Sequence, residues 1–434
     1  MNGLVKRLIH SFTIGLLAIW LAGCSNDSQT APSTSHAPTP SESTAPSSAL
    51  PSNLSSASAT VDTGTTTPKE PQEPETREAT LIAIGDIMAH SPQLPGYYDQ
   101  VTKRYDFSSW FSEVAPIFSQ GDWVIGNLET PIAGKDLKFT GFPRFNAPKE
   151  LAEAVKGAGV QLVSTANNHA MDRGYPGILR TLDNVKKAGL IPVGTSSSAV
   201  NRQRLIIEER NGIRMGFLAY SYGTNGIPVP PEKSYAINLI DVDVIRDDIA
   251  RMKQAGADVV TVSLHFGIEY QRLPNADQTT LARELVKSGA DIILGSHPHV
   301  VQPYAEIDVP ATESDDGTDR KGIVIYSLGN FISNQTGDWK DVGLIFGIHL
   351  VKTRLDDGTY ETHWDKIAAE PTWVQILVKN KIKTYKVIPL NRALAKKDIP
   401  SLTAKDYANL RIKLSQINKH LAKLSPHLKP TPAK

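Results

Sequence analysis

Cysteine is almost absent: Cys24 stands alone in 434 residues. No internal disulfide is available, so packing must hold the fold. Charge of one sign is equally lacking, because 46 basic and 45 acidic side chains leave a net charge of +1. A balance of that kind makes no field for gathering nucleic acid, which is excluded as a partner. The apolar run 12–22 is too short to span a bilayer, which takes roughly 20 residues. No internal repeat is present. What remains is ample for a sizeable core: 40% of residues are hydrophobic, in a length that suits one large domain or two ordinary ones.

Lys6 and Arg7 precede the apolar run, which ends Leu21-Ala22-Gly23-Cys24. A charged start, an apolar stretch, small residues and a cysteine in register look like a lipobox, where the chain is cut before a lipid-modified cysteine. An ordinary signal peptide with an incidental cysteine is the alternative, and the shared register favours lipidation. Residues 1–24 are therefore expected to be a lipoprotein signal peptide. Acyl chains on Cys24 would make the protein extracytoplasmic and lipid-anchored to the cell membrane. Residues 25–78 are dominated by Ser, Thr, Ala and Pro. Such a segment buries too little to offset its ordering entropy, so it is expected to be a disordered tether. As a coil of roughly 50 residues its ends would lie about 40 Å apart.

Order is expected from residue 79. Short apolar, β-branched runs at 80–87, 123–127, 162–166, 259–264, 291–295 and 323–328 read as strands buried on both faces. Amphipathic helical patterns at 149–156, 177–188, 242–255 and 277–288 alternate with them, which argues α/β. Asn211-Gly212 predicts a hairpin between 204–209 and 213–220. A second antiparallel patch is expected at 342–354 and 359–363, joined by Asp356-Asp357-Gly358. The segment 403–424 reads as a basic helix and 426–434 as a frayed tail. The expected domain is 79–392, with a C-terminal helix and tail at 393–434.

In open α/β folds ligands gather at the carboxyl ends of strands. Polar residues recur there in this chain: Asp86; Asn127 and Glu129; Asn167, Asn168 and His169; His265; His297 and His299. Each alone has an ordinary structural reading, as a turn, a cap or a satisfied imidazole. Together they bring four of the chain's eleven histidines to three strand ends, and two carboxylates to two others. Carboxylate oxygen and imidazole nitrogen are the donors that Mn, Fe, Zn or Mg accept. A divalent metal site with one or two ions is therefore expected, able to clamp an oxyanion and to make hydroxide near neutral pH.

Six segments, in this order, resemble the CapA family of poly-γ-glutamate capsule proteins, a branch of the calcineurin-like metallophosphatases. They are Gly85-Asp86-Ile87-Met88, Gly126-Asn127-Leu128-Glu129-Thr130-Pro131, Asn167-Asn168-His169-Ala170-Met171-Asp172-Arg173-Gly174, Ser263-Leu264-His265-Phe266-Gly267, Gly295-Ser296-His297-Pro298-His299 and Tyr326-Ser327-Leu328-Gly329-Asn330-Phe331. The resemblance covers roughly residues 80–389. It implies a four-layer αββα metallophosphatase-like sandwich with two mixed β-sheets. It further implies that Asp86 binds one metal and that Glu129 bridges. Asn168, His265 and His297 would complete one side and His299 the other, with His169 as the acid that protonates a leaving group.

The wider phosphatase pattern opens Asp-x-His, and here Met88 stands where that histidine would be. One ligand of the first site is thereby removed, and His90, two residues on, is not expected to replace it. The second block reads Gly-Asn-Leu-Glu rather than Gly-Asp, which leaves Asn127 beside the ligands instead of among them. Arg144 reads either as a fork for a substrate carboxylate or as half of a structural ion pair. Asp172 and Arg173 are expected to order the His169 loop. Trp339, Trp364 and Trp373 read as packing residues.

Three functions fit. The first is making or exporting poly-γ-glutamate outside the membrane, with membrane-embedded synthase subunits and the anionic polymer as partners. The second is a non-catalytic assembly subunit on the same fold, since fold does not fix function. The third is a surface phosphoesterase unrelated to capsule.

Overall fold

The computed structural model describes residues 76–432. The signal peptide, Cys24 and nearly all of the expected tether lie outside the described residues. Residues 76–78, expected to close the tether, instead open the first strand.

Fourteen strands and eight α-helices alternate along the described chain. In order the strands are β1 (Thr76–Ile87), β2 (Trp123–Leu128), β3 (Leu162–Ser164), β4 (Ile191–Val193), β5 (Ile207–Arg210), β6 (Ile213–Ser221) and β7 (Val259–His265). There follow β8 (Ile292–Ser296), β9 (Tyr304–Val309), β10 (Arg320–Ile325), β11 (Asn330–Ile332), β12 (Val342–Arg354), β13 (Tyr360–Lys379) and β14 (Ile382–Pro389). The helices are α1 (Ala115–Phe118), α2 (Glu150–Gly157), α3 (Gly174–Lys187), α4 (Ala199–Arg202), α5 (Val242–Gln254), α6 (Ala276–Lys287), α7 (Leu390–Lys396) and α8 (Ala404–Leu421).

The first sheet runs β14-β13-β12-β1-β2-β3-β4, with β11 beside the end of β1. Its β1–β4 part is parallel and its β12–β14 part antiparallel. The second sheet runs β5-β6-β7-β8-β10-β9, parallel from β6 to β10 and antiparallel at both edges. One core fills the space between the sheets: Leu81 and Ala83 of β1 share it with Met215, Phe217, Leu294 and Ile325 of the second sheet. On the outer face of the first sheet, Ile82, Ile84 and Val124 pack with Leu151 and Val155 of α2. On the outer face of the second, Val260, Val262 and Ile293 pack with Ile249 of α5 and Leu285 of α6. The layers are therefore helix, sheet, sheet, helix, the four-layer αββα sandwich with two mixed sheets. Successive residues of β1 bury alternate faces against different cores, which is why its sequence is continuously apolar rather than alternating. Each leucine or isoleucine among them contributes roughly 1.5–3 kcal/mol by leaving water.

Two expectations about the C-terminal third fail. The strand expected at 323–328 is β10, Arg320–Ile325, and the chain leaves the second sheet after it to reach β11 in the first. The segment expected to fray is docked instead. Tyr304 donates its hydroxyl to the Leu428 carbonyl at 3.0 Å, and Thr431 pairs with β13 through Ala369 and Ile367. Ile417 and Leu421 of α8 enter the inter-sheet core, so this helix closes one side of the sandwich.

Candidate metal centre

β1, β2 and β3 of the first sheet and β7 and β8 of the second all end at the same pole, and the five ends deliver their polar residues into one buried cluster. Two close backbone approaches set the geometry. A side chain at Gly85 would lie 1.9 Å from the Gly329 carbonyl, and one at Gly295 would lie 1.9 Å from that of Tyr326. Neither position tolerates a Cβ, so β1 and β8 are pressed against the chain that links the sheets.

Asp86 and Glu129 are fully buried, at 0% exposure, and His265, His297 and His299 nearly so. Ligand atoms of Glu129, His265 and His297 lie within 4.8 Å of one another, and so do those of Asp86, Glu129 and His299. Two donors about 2.1 Å from one ion stand at most about 4.2 Å apart, so both triads lie close to ligating geometry. The triads share Glu129, the arrangement a bridging carboxylate needs. Its Oε1 is 3.5 Å from His265 Nε2 and 3.8 Å from His299 Nε2, yet meets no hydrogen-bond donor. His297 Nδ1 is likewise buried without a partner. Buried polar atoms are almost always satisfied, and two orphans on residues of one triad fit a cation bound there.

The electrostatics agree. Burial, and after it the Asp86 carboxylate, push the Glu129 carboxyl well above the usual carboxylate range. Burial, with the other imidazoles adding to it, holds His265 well below its ordinary value and His297 down to about 4. Neutral imidazoles keep a lone pair free to ligate, and a cation would displace the Glu129 proton. Oxygen and nitrogen donors of this kind suit Mn, Fe, Zn or Mg. His297 and His299 also adopt left-handed backbone at φ 97° and 58°. Such strain in non-glycine residues costs of order 1–3 kcal/mol each and collects at functional sites.

Around the triads the other candidates fall into ranks. The Asn127 amide donates to Asp86 Oδ1 at 2.8 Å and Glu129 Oε2 at 3.3 Å, so it holds the two carboxylates together. Asn168 Oδ1 stands 3.0 Å from His265 Nε2, while its amide donates to Asn225. His299 Nδ1 is 3.0 Å from Asp86 Oδ2. His169 Nδ1 is 2.8 Å from Asp172 Oδ2, which also accepts from the Phe145 amide at 2.6 Å. That pairing orients His169 and leaves its Nε2 for a reacting group. Arg173 braces the neighbouring loop by donating to Thr140 Oγ1 and to the Arg144 carbonyl. Arg144 itself is exposed and makes no ion pair among the described residues. Met88 is buried and carries no donor to the cluster, and His90 belongs to neither triad, its Nδ1 lying 3.2 Å from Gln93 Oε1.

Sequence reasoning missed four neighbours. Ser296 Oγ is 3.0 Å from His265 Nδ1 and sits inside a quoted motif, so it was within reach. Tyr222 follows β6, another strand end at this pole, and its ring lies 4.6 Å from that of His297. Tyr270 stands 6.1 Å from His299, and Asn225 holds Asn168; neither carries a sequence signal.

Comparison with known proteins decides the family. The model of the bacterial capsule synthesis protein family PGA_cap matches residues 80–335. The chain belongs to this family. All the triad residues fall inside the matched span. The capsule biosynthesis protein CapA of Bacillus anthracis is 31% identical over 268 residues, 60% of this chain and 61% of that protein. The PGA biosynthesis protein CapA of Bacillus subtilis (strain 168) is 31% identical over 261 residues, 58% and 62% of the two chains. The matched region thus spans about three-fifths of those relatives' length. The NAD nucleotidase of Haemophilus influenzae is similar in structure over 80% of this chain and 61% of that one, with a TM-score of 0.41 and 12% identity. At that distance nothing about its chemistry transfers.

Proposed function

We propose that this family member serves the synthesis or export of a poly-γ-glutamate capsule polymer outside the cell membrane, as a hydrolase-like enzyme with a divalent metal centre. The observation that carries the reading is a pair of buried triads sharing Glu129, with an orphaned carboxylate oxygen, in a chain of the capsule synthesis family. Bound metal would supply Lewis acidity and a hydroxide near neutral pH for attack on a phosphoryl or γ-glutamyl bond. The chain's own residues do the rest. Asn127 keeps Asp86 and Glu129 together, and Asp172 turns His169 so that Nε2 can give a proton to the leaving group. A lipid on Cys24 would hold the protein beside membrane-embedded synthase subunits.

The test is metal content of the purified protein, parent beside His265→Ala and His297→Ala. The expected result is one to two divalent ions in the parent and at least one fewer in each variant. A parent with none would end the catalytic reading. One feature favours a second reading, assembly without catalysis: buried Met88 leaves the Asp86 side one ligand short. Full polymer production by an Asp86→Ala strain would support it.

A further inference from the structure

We propose that Arg144 and Lys340 form two carboxylate-binding points on the rim of the metal centre, gripping separate acid groups of one linear anionic chain laid across it. The inference rests on the reading above and adds to it how the substrate is held.

Most arginines close to structured parts of the fold bond a carboxylate, as Arg202 does with Asp248, Arg246 with Glu284 and Arg392 with Glu113. Arg144 and Lys340 bond none among the described residues. Both have a fixed backbone and a cation that meets no carboxylate. The Arg144 carbonyl accepts from Thr140 Oγ1 and from Arg173 Nη2, so the loop is braced while its guanidinium stays exposed. The Lys340 carbonyl accepts from the Asn330 amide at 2.8 Å, and its ammonium lies 5.1 Å from the centre of the Tyr270 ring.

Each is tied to a different part of the cluster. Phe145, next to Arg144, lies edge-on to His169 at 4.6 Å, and its amide bonds the Asp172 oxygen that orients His169. Asn330, which holds Lys340, pairs with Asp86 in the register of β11 and β1, and Tyr270 flanks His299. The Arg144 loop therefore stands on the His169 side and the Lys340 ammonium on the His299 side. Tyr222 and Tyr270, 48% and 43% exposed, offer apolar faces beside the cluster, and Phe142 is 78% exposed in the Arg144 loop. Rings of this kind suit the methylene groups between acids.

Two like charges close together also need a reason. Burial disfavours the Arg173 cation, Asp172 opposes that, and the charge of Arg144 adds to it; the Arg173 Nε is buried without a partner. An incoming carboxylate relieves that repulsion, and a guanidinium matches it with two parallel hydrogen bonds. A ligand with a single acid would fill one point only. A chain with an acid on every residue fills both.

The experiment titrates the metal-loaded protein calorimetrically with a γ-linked glutamate decamer, with free glutamate and with inorganic phosphate. Arg144→Gln is expected to weaken decamer binding about tenfold and Lys340→Gln several-fold, the double variant about multiplicatively. Arg144→Lys should regain part of the loss, and metal content and phosphate affinity should match the parent. Decamer affinity unchanged in both variants, or phosphate affinity falling in step with it, overturns the proposal. A metal-loaded parent that binds no decamer overturns it too and leaves the metal centre standing. A parent without metal removes the reading beneath it.

Discussion

Glu129 and Glu370 look alike by every local measure and differ in what surrounds them. Both are fully buried, and each has one carboxylate oxygen without a hydrogen-bond donor. Burial is the largest influence raising the pKa of each. Glu129 ends among three imidazoles and a second carboxylate. Glu370 lies in β13, accepts from the Asn391 amide at the start of α7 at 2.7 Å, and belongs to no candidate metal group. A buried acid with an orphaned oxygen therefore does not mark a metal site by itself. Other donors must converge on the same point; where they do not, the acid is a helix cap carried at some cost.

The largest effect should separate these two glutamates outright. Glu129→Ala removes the shared ligand, so all bound metal and the metal-dependent gain in stability should be lost, a gain of about 2.7 kcal/mol at a hundredfold excess over Kd. Glu370→Gln should keep the parent's metal content. Titration followed by thermal melting reads both, and metal retained by Glu129→Ala would erase the contrast. A smaller effect is expected within the cluster. His299→Ala leaves Glu129, His265 and His297 intact, so the ion of that triad should stay bound; complete loss of metal would mean that the triads do not fill independently.

The last effect concerns pH and leaves the metal content untouched. The Glu370 carboxyl is raised to about 7 in the folded protein, against an ordinary value near 4.5. Between those values the folded state holds a proton that the unfolded chain has released. Its contribution is therefore complete below about pH 4.5 and lost as pH rises through about 7. Glu370→Gln cannot lose it, so the variant should gain on the parent across that window, by up to about 3 kcal/mol at pH 8. Denaturant melts at pH 4.5 and pH 8 check this, and an equal gap at both would show that burial does not govern Glu370.

Residues that bury alternate faces against two cores left the plainest trace in the sequence. The runs around β1, β2, β7 and β8 are legible because no charged residue interrupts them until the chemistry begins. That also explains why the residues meeting in the cluster are those a strand-end reading singles out. Elsewhere the signal breaks for physical reasons. β13 was expected to stop at residue 363 but runs to Lys379, through buried Glu370 and Pro371. Pro371 is tolerated because β14 pairs with β13 only from Thr372 onward, so no partner there needs its missing N–H. The β13–β14 turn places Asn380 and Lys381 at φ 52° and 65° without a glycine, whereas Asn211-Gly212 announces the β5–β6 turn. Asn225 acts through Asn168, and such a pairing is invisible until the fold brings the two together.

The direction of β1 sets where everything else attaches. The strand enters the sheet at Thr76 and delivers Asp86 at its far end, a travel of about 33 Å at the rise of an extended chain. Whatever precedes Thr76 thus joins the domain at the pole away from the metal centre. The end of the domain that carries the triads is thus left clear of the point at which the chain enters the sheet.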